Sequence, residues 1–102
     1  MSGDPSLVNG RRLDDLVTEI VAEVLVMPAD AVRPGASLIR DLGAESIDFM
    51  DLVFRLEDAL GRRIPYTQWQ RFLEVNLAGA DLSVAITPEV VRAFAQEEIA
   101  RV

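Results

Sequence analysis

The sequence predicts an all-α domain, a bundle of four helices with a long segment between the second and the last. Apolar residues recur at steps of three and four, and glycine or proline stands where these stripes stop. Of the 102 residues, 50% are hydrophobic and 26% are charged, a composition typical of one globular core. We therefore expect a flexible N-terminus over residues 1–10, rich in small and polar residues, and a single domain over residues 11–102.

Two amphipathic helices are predicted in the first part of the chain. The first covers residues 11–27 and is ended by Pro28, and the second covers residues 46–60 and is stopped by Gly61. The connection between them contains three apolar residues that we expect to pin it to the core: Leu38, Ile39 and Leu42. The core-facing stripe of the second helix consists of Phe49, Leu52, Val53, Leu56 and Leu60.

Two further helices are predicted after Ile64-Pro65. A shorter one covers residues 67–75, and a last one opens at Thr87-Pro88-Glu89 and runs to residue 100, because this tripeptide combines a cap, a first-turn proline and a first-turn acid. Residues 76–86 are predicted as a packed loop on the strength of Gly79 and Asp81. The alternative is a short strand, indicated by the alternation of Leu82, Val84 and Ile86.

Two residue types that most enzymes use are missing. The chain has no cysteine and no histidine, so it offers no thiol, no disulfide and neither the commonest general base nor the commonest metal ligand. A hydrolase using a serine nucleophile is disfavoured further, because no lysine is present to activate a hydroxyl. We expect a protein that is not an enzyme and holds no metal.

The charge and the hydropathy pattern narrow the classes of partner. The net charge is −7, the wrong sign for nucleic acid or an anionic membrane surface, so basic proteins are the expected partners. Glu19 and Glu23 interrupt the longest apolar stretch, so it is too short to span a bilayer and we expect no membrane insertion. No signal-peptide pattern opens the sequence, and we predict a cytoplasmic protein.

Ser46 stands where the connection turns into the second helix. Its hydroxyl should be exposed beside the unpaired N–H groups and the positive dipole end of that helix, a place that suits a phosphate group. The alternative is a plain N-cap, the commonest role of a serine at this position.

The second helix also has more apolar and acidic residues than one buried face explains. Ile47, Met50 and Phe54 lie off the core stripe and are predicted to form an exposed patch, unless this helix is buried on two sides. Residues 41–60 contain six acids and one arginine, a net charge of −5. Glu57 and Asp58 lie near the C-terminal end of the helix, where negative charge opposes the dipole, so they need another explanation.

The eight residues 41–48, Asp-Leu-Gly-Ala-Glu-Ser-Ile-Asp, resemble the signature of acyl carrier proteins, in which aspartate usually stands at the place of Glu45. The resemblance implies an acyl-carrier-like helical bundle and a 4′-phosphopantetheine arm attached covalently to Ser46. A separate phosphopantetheinyl transferase would transfer this arm from coenzyme A with Mg²⁺. The arm would hold acyl groups as thioesters, and the protein would deliver them to enzymes of fatty acid, lipid or polyketide biosynthesis.

The same resemblance implies a monomer that docks on basic patches of enzymes such as a ketosynthase or an acyltransferase. The residues that this docking would use are Glu45, Ile47, Asp48, Met50, Asp51, Phe54, Glu57 and Asp58. Two alternatives stay open: a carrier of aminoacyl or peptidyl groups, and an unmodified helical adaptor with the same fold.

The C-terminal third resembles a specialised branch of the family, the carriers of very long acyl chains in lipid A assembly. The resemblance rests on the spacing of Ile64-Pro65 and Trp69 and on the later Glu74-Val75-Asn76. A larger acyl pocket shaped by Trp69 and residues 76–86 is a hypothesis that the sequence leaves open. The alternative for Trp69 is a core residue, the commoner place for a tryptophan in a helix.

Overall fold

The computed structural model describes residues 7–8 and 11–101. The described residues form five helices and one short ladder, so the predicted all-α class is confirmed. The helices are α1 (Leu13–Leu25), α2 (Ser46–Leu60), α3 (Tyr66–Asn76), α4 (Leu82–Ala85) and α5 (Pro88–Ala100). A 3-10 turn, Ala29–Ala31, lies in the connection between α1 and α2.

Two strands of two residues each precede α1. β1 (Leu7–Val8) pairs antiparallel with β2 (Arg11–Arg12), an element that the sequence did not predict. The other residues of the predicted flexible terminus, 1–6 and 9–10, lie outside the described part of the chain.

The core forms where α1 packs against both α2 and α5. Both apolar stripes point inward as predicted, although Val24, Leu25 and Leu60 are only half-buried. Of the three connection residues, Leu38 is buried, whereas Ile39 and Leu42 are half-buried against the core. The buried residues of α1 and α2 are Leu13, Leu16, Val17, Ile20, Val21, Ala22, Phe49, Leu52, Val53 and Leu56.

Helix α1 ends two residues before the predicted boundary. Val26 adopts a left-handed conformation with φ 55°, its N–H donates to the Glu23 carbonyl at 3.3 Å, and the N–H of Met27 donates to the Ala22 carbonyl at 3.0 Å. This pair of bonds is the Schellman motif, which normally has glycine at the left-handed position. The helix therefore stops at Leu25, and Pro28 lies beyond the cap.

Helix α2 has the predicted bounds and the predicted stop. Gly61 takes the left-handed conformation with φ 67°, and its N–H donates to the Asp58 carbonyl at 3.3 Å. The N–H of Arg62 donates to the Glu57 carbonyl at 3.2 Å. Helices α1 and α2 therefore both end in a Schellman motif, α1 with valine and α2 with glycine at the left-handed position.

The aromatic centre of the core is Trp69 of α3, which is 1% exposed. Its ring stacks on Phe49 of α2, with centroids 6.0 Å apart, and on Phe72, with centroids 6.3 Å apart. Phe94 of α5 meets it edge to face at 5.1 Å. The alternative interpretation of Trp69 as a core residue is the one that this geometry favours.

The predicted loop over residues 76–86 contains a helix, so this prediction was wrong for α4. Asp81 caps that single turn: its Oδ1 accepts from the Ser83 N–H at 3.0 Å and from the Ser83 hydroxyl at 2.6 Å. These hydrogen bonds hold the pKa of Asp81 below its ordinary value. One turn is too short to show helical periodicity, which is why the pattern suggested a loop or strand.

Helix α4 holds the connection that leads to α2. The backbone N–H of Leu38 donates to the Ile86 carbonyl at 2.9 Å. The Ser83 carbonyl accepts from the Ser37 hydroxyl at 2.6 Å and from the Arg40 N–H at 3.2 Å. These hydrogen bonds hold residues 37–40, in front of α2, against Ser83 and Ile86.

None of the helices described is long and apolar enough to cross a membrane.

Candidate functional site around Ser46

Ser46 is the first residue of α2 and its side chain is exposed. The turn before it is tight: Gly43 has φ 78°, its N–H donates to the Ile39 carbonyl at 3.1 Å, and the buried Ala44 donates to the Leu38 carbonyl at 2.8 Å. A left-handed residue at position 43 favours glycine, because a Cβ is disfavoured there. This turn presents the Ser46 hydroxyl to solvent from a fixed backbone.

The cap of α2 is Glu45 rather than Ser46. The N–H of Glu45 donates to Oδ2 of Asp48 at 2.8 Å, and the N–H of Asp48 donates to the Glu45 carbonyl at 2.9 Å. The alternative interpretation of Ser46 as a plain N-cap is therefore wrong. Its exposed hydroxyl has no hydrogen bond with the described part of the chain.

The predicted apolar patch lies on the surface beside Ser46. Ile47 is 68% exposed, Met50 is 56% exposed and Phe54 is 65% exposed. The alternative, a helix buried on two sides, does not describe α2. A patch of this kind on a small domain marks an interaction surface, and its use in docking stays a prediction.

The acidic residues of α2 divide by their contacts. Asp51 pairs with Arg55 at 3.1 Å, and Arg55 pairs in turn with Glu23 of α1 at 3.1 Å. Glu45 and Asp58 are exposed, whereas the carboxylate of Asp48 belongs to the cap. Asp58 is thus the least engaged of the predicted docking acids.

Glu57 has a structural role that the sequence did not reveal. Its Oε2 accepts from the backbone N–H of Ile64 at 2.7 Å, and its side chain is half-buried. This bond ties the end of α2 to Ile64, two residues before α3 begins. The unfavourable position of Glu57 near the helix dipole is thereby explained, and that of Asp58 is not.

Truncation of these two acids should separate the structural role from a surface role. Glu57→Ala should lower the free energy of unfolding by about 1–2 kcal/mol, because a half-buried N–H loses a charged acceptor. Asp58→Ala, the matched control, should change it by less than about 0.5 kcal/mol. Urea denaturation of both variants measures this. Equal effects would mean that the bond to Ile64 contributes nothing.

A narrow apolar crevice opens between the last turn of α1 and the first turns of α2. Trp69 is not among the residues that line it, but it stacks on Phe49, which is. The free space inside is about 10 Å³, which is room for one water at most. The lining consists of Val21, Val24, Leu25, Leu38, Ala44, Asp48, Phe49 and Leu52.

Sequence reasoning did not single out two groups at this site. Val24 and Leu25 of α1 and Ala44 of the turn line the crevice, although the pattern showed them only as core residues or not at all. Within residues 7–8 and 11–101, no group of three acidic side chains could hold a metal ion.

Comparisons with known proteins agree on one family. A model of the phosphopantetheine attachment site matches residues 15–68, more than half of the chain. The acyl carrier protein AcpXL of Brucella melitensis is 42% identical over 62 residues, which are 61% of this chain and 64% of that protein. The AcpXL protein of Mesorhizobium japonicum is 31% identical over 67 residues, or 66% of this chain and 72% of that protein.

A relative that is not named AcpXL belongs to the same family. The acyl carrier protein of Campylobacter hominis is 36% identical over 60 residues, which are 59% of this chain and 76% of that protein. The match thus spans less than two thirds of the Brucella protein and about three quarters of the Campylobacter one. Ser46 and its crevice lie inside the segment that the family model matches. The chain belongs to the acyl carrier protein family, whose cofactor is 4′-phosphopantetheine.

Proposed function

We propose that this protein carries acyl groups as thioesters on a 4′-phosphopantetheine arm attached to Ser46, and that it is a substrate of its partner enzymes rather than a catalyst. The observation that carries the proposal is the exposed Ser46 hydroxyl, free of hydrogen bonds to the described chain, at the first residue of α2. It lies within the phosphopantetheine attachment match.

The residues around Ser46 fit a phosphodiester. The first turn of a helix offers unpaired N–H groups and a positive dipole end, and both favour a phosphate. The turn at Gly43 and the cap at Glu45 hold the backbone, so a transferase would meet a hydroxyl in a fixed position. The arm would supply the thiol that this cysteine-free chain lacks.

The surface of α2 supports docking on basic enzymes. Exposed Ile47, Met50 and Phe54 would form the apolar centre, and the acids around them would meet arginine and lysine. We propose a phosphopantetheinyl transferase and acyl-processing enzymes, such as a ketosynthase or an acyltransferase, as partners. The predicted monomeric state and cytoplasmic location stay predictions.

We also propose that the acyl group belongs to the very long chains of lipid A assembly. The support is the identity with AcpXL proteins together with the resemblance at Ile64-Pro65, Trp69 and residues 74–76. The crevice of about 10 Å³ is too small for such a chain, so α1 and α2 would have to separate to admit it.

The fluorescence of Trp69 tests the chain-length proposal. A chain that enters the crevice must displace Phe49, which stacks on Trp69, so the emission of the single tryptophan should change as the loaded acyl chain lengthens. Carriers loaded with short, medium and very long acyl groups give the comparison. Emission that does not vary with chain length would contradict the proposal that a long acyl chain displaces Phe49 from Trp69.

The mass of the intact protein tests the carrier function. Incubation with coenzyme A, Mg²⁺ and a broad-specificity phosphopantetheinyl transferase should add one phosphopantetheine to the wild type and none to Ser46→Ala. Ser83→Ala, which removes a hydroxyl bonded to Asp81, is the control and should be modified fully. Circular dichroism would show that each variant is folded.

The same experiment decides among the alternatives. A wild type that no transferase modifies would favour the unmodified adaptor, because an adaptor needs no arm at Ser46. A modified protein that accepts aminoacyl groups but no acyl groups would favour the peptidyl carrier. The names of the relatives favour acyl groups.

A further inference from the structure

Val26 has a backbone conformation that valine disfavours. Among the described residues it is the one non-glycine residue with positive φ, at 55°, whereas Gly43, Gly61 and Gly79 occupy the other such positions. The left-handed region brings a Cβ close to the following carbonyl, and a β-branched side chain is least suited to it.

Helix α2 provides an internal comparison. Gly61 closes α2 with the same two hydrogen bonds that Val26 and Met27 use to close α1. Glycine is therefore sufficient at the left-handed position that ends a helix in this chain. Valine at position 26 is unfavourable for stability and calls for another explanation.

Packing does not explain the valine either. Its side chain is 89% exposed, the most exposed of the large hydrophobic residues described, so it gains almost nothing from burial. Met27, the next residue, is half-buried against the core and anchors the chain there. The valine side chain is thus fixed in position and directed to solvent.

Val26 lies at the same end of the molecule as Ser46. Helices α1 and α2 run antiparallel, because Leu25 and Asp48 line one crevice while Arg11 and Asp58 line a groove at the other end. Val26 directly follows Leu25. It therefore adds an exposed apolar side chain at the end of α1 that lies beside the start of α2.

We infer that Val26 is a docking residue for the phosphopantetheinyl transferase, an inference that rests on the proposed function. Enzymes that act on the end of a flexible arm need not touch this surface, but the transferase must bring its own active site against the Ser46 hydroxyl. A standard interface buries roughly 800 Å² on each partner, so it covers the surroundings of Ser46 on all sides. An apolar residue there would be buried in the complex.

The charge around Val26 indicates the chemistry of the matching surface. Asp30 follows it by four residues and Glu45 precedes α2, and both acids are exposed. The transferase surface that fits is an apolar spot surrounded by arginine or lysine. Such a contact contributes affinity through the valine and orientation through the charges.

Steady-state kinetics of the transferase on three chains tests the inference: wild type, Val26→Gly and Val26→Ile. The glycine variant should have a KM about tenfold higher with kcat unchanged, because it loses an apolar contact made before the chemical step. The isoleucine variant keeps a β-branched apolar side chain and should stay within about twofold of the wild-type KM.

The melting temperature of each chain separates docking from folding. Val26→Gly should melt about 3 °C higher, since glycine adopts the left-handed conformation without strain. A KM that glycine leaves unchanged, an isoleucine variant as impaired as the glycine one, or a lower melting temperature for glycine would each overturn the inference. A wild type that is not modified at all would overturn the carrier function as well, so the two failures are distinguishable.

Discussion

Replacing Trp69 by alanine is expected to lower the free energy of unfolding by about 3–5 kcal/mol, the range for truncating a large buried aromatic residue. The indole is 1% exposed and contacts aromatic rings from three directions, Phe49, Phe72 and Phe94. The surrounding structure relaxes only partially around a space of that size, so most of the cost remains. Because small domains have only about 5–15 kcal/mol in total, a large part of the stability would be lost.

The matched variant is Trp69→Phe, which keeps an aromatic ring in the stack and should lose much less stability. Urea denaturation followed by circular dichroism at a helix band measures both, since the fluorescence of the only tryptophan disappears with it. A Trp69→Ala protein that unfolds at the wild-type urea concentration would contradict the view of Trp69 as the centre of the core.

The same variant tests how the core supports the site. Phe49 stacks on Trp69 with one face and lines the crevice between α1 and α2. Loss of the indole should therefore loosen the first turns of α2, next to Ser46. Amide hydrogen exchange in residues 46–52 should accelerate more than in the C-terminal half of the same helix.

The part of the site on α2 could be predicted because its signals are local. A stripe at helical spacing and a glycine stop are sufficient to predict a helix over residues 46–60. The position of Ser46 at the loop-to-helix junction follows from those bounds. The signature over residues 41–48 then implies the cofactor, and the family match agrees with it.

The features that could not be predicted are local contacts that leave no sign in the pattern of residue types. Val26 gives no sign of a left-handed conformation, since valine is among the residues least expected there. Glu57 has the appearance of a surface acid until Ile64 is brought to it by the turn at Gly61. Helix α4 is one turn long and depends on the cap at Asp81.

Glu98 is another residue whose role the sequence concealed, because an acid in the last helix suggests a solvated face. Its side chain is 1% exposed, and Oε1 accepts from the Gln68 amide of α3 at 2.7 Å. Oε2 meets the Arg101 guanidinium at 3.2 Å. Arg62 completes the cluster through hydrogen bonds to the carbonyls of Glu98 and Arg101. The cluster joins the end of α5 to Arg62, which follows α2, and to Gln68 near the start of α3.

Truncating Glu98 to alanine should therefore cost about 3 kcal/mol, because it removes a buried carboxylate and leaves the Gln68 amide without its acceptor. Glu98→Gln keeps the size and an acceptor for that amide, and it loses only an ion pair with the half-exposed Arg101, so its cost should be about 1 kcal/mol. The neighbouring Glu97 is exposed, and Glu97→Ala should change stability by less than about 0.5 kcal/mol.

Urea denaturation of the three variants gives this ranking, and a double-mutant cycle with Gln68→Ala isolates the shared bond. The cycle should show a coupling of about 1 kcal/mol between Glu98 and Gln68, whereas additive effects would mean that the bond contributes nothing. Hydrogen exchange should accelerate first at the start of α3, the end that the Gln68 amide holds. Because α3 carries Trp69 at its second turn, loosening the start of α3 would also affect the aromatic centre. Glu98, at the far end of α5, therefore supports the same core on which the Ser46 site is built.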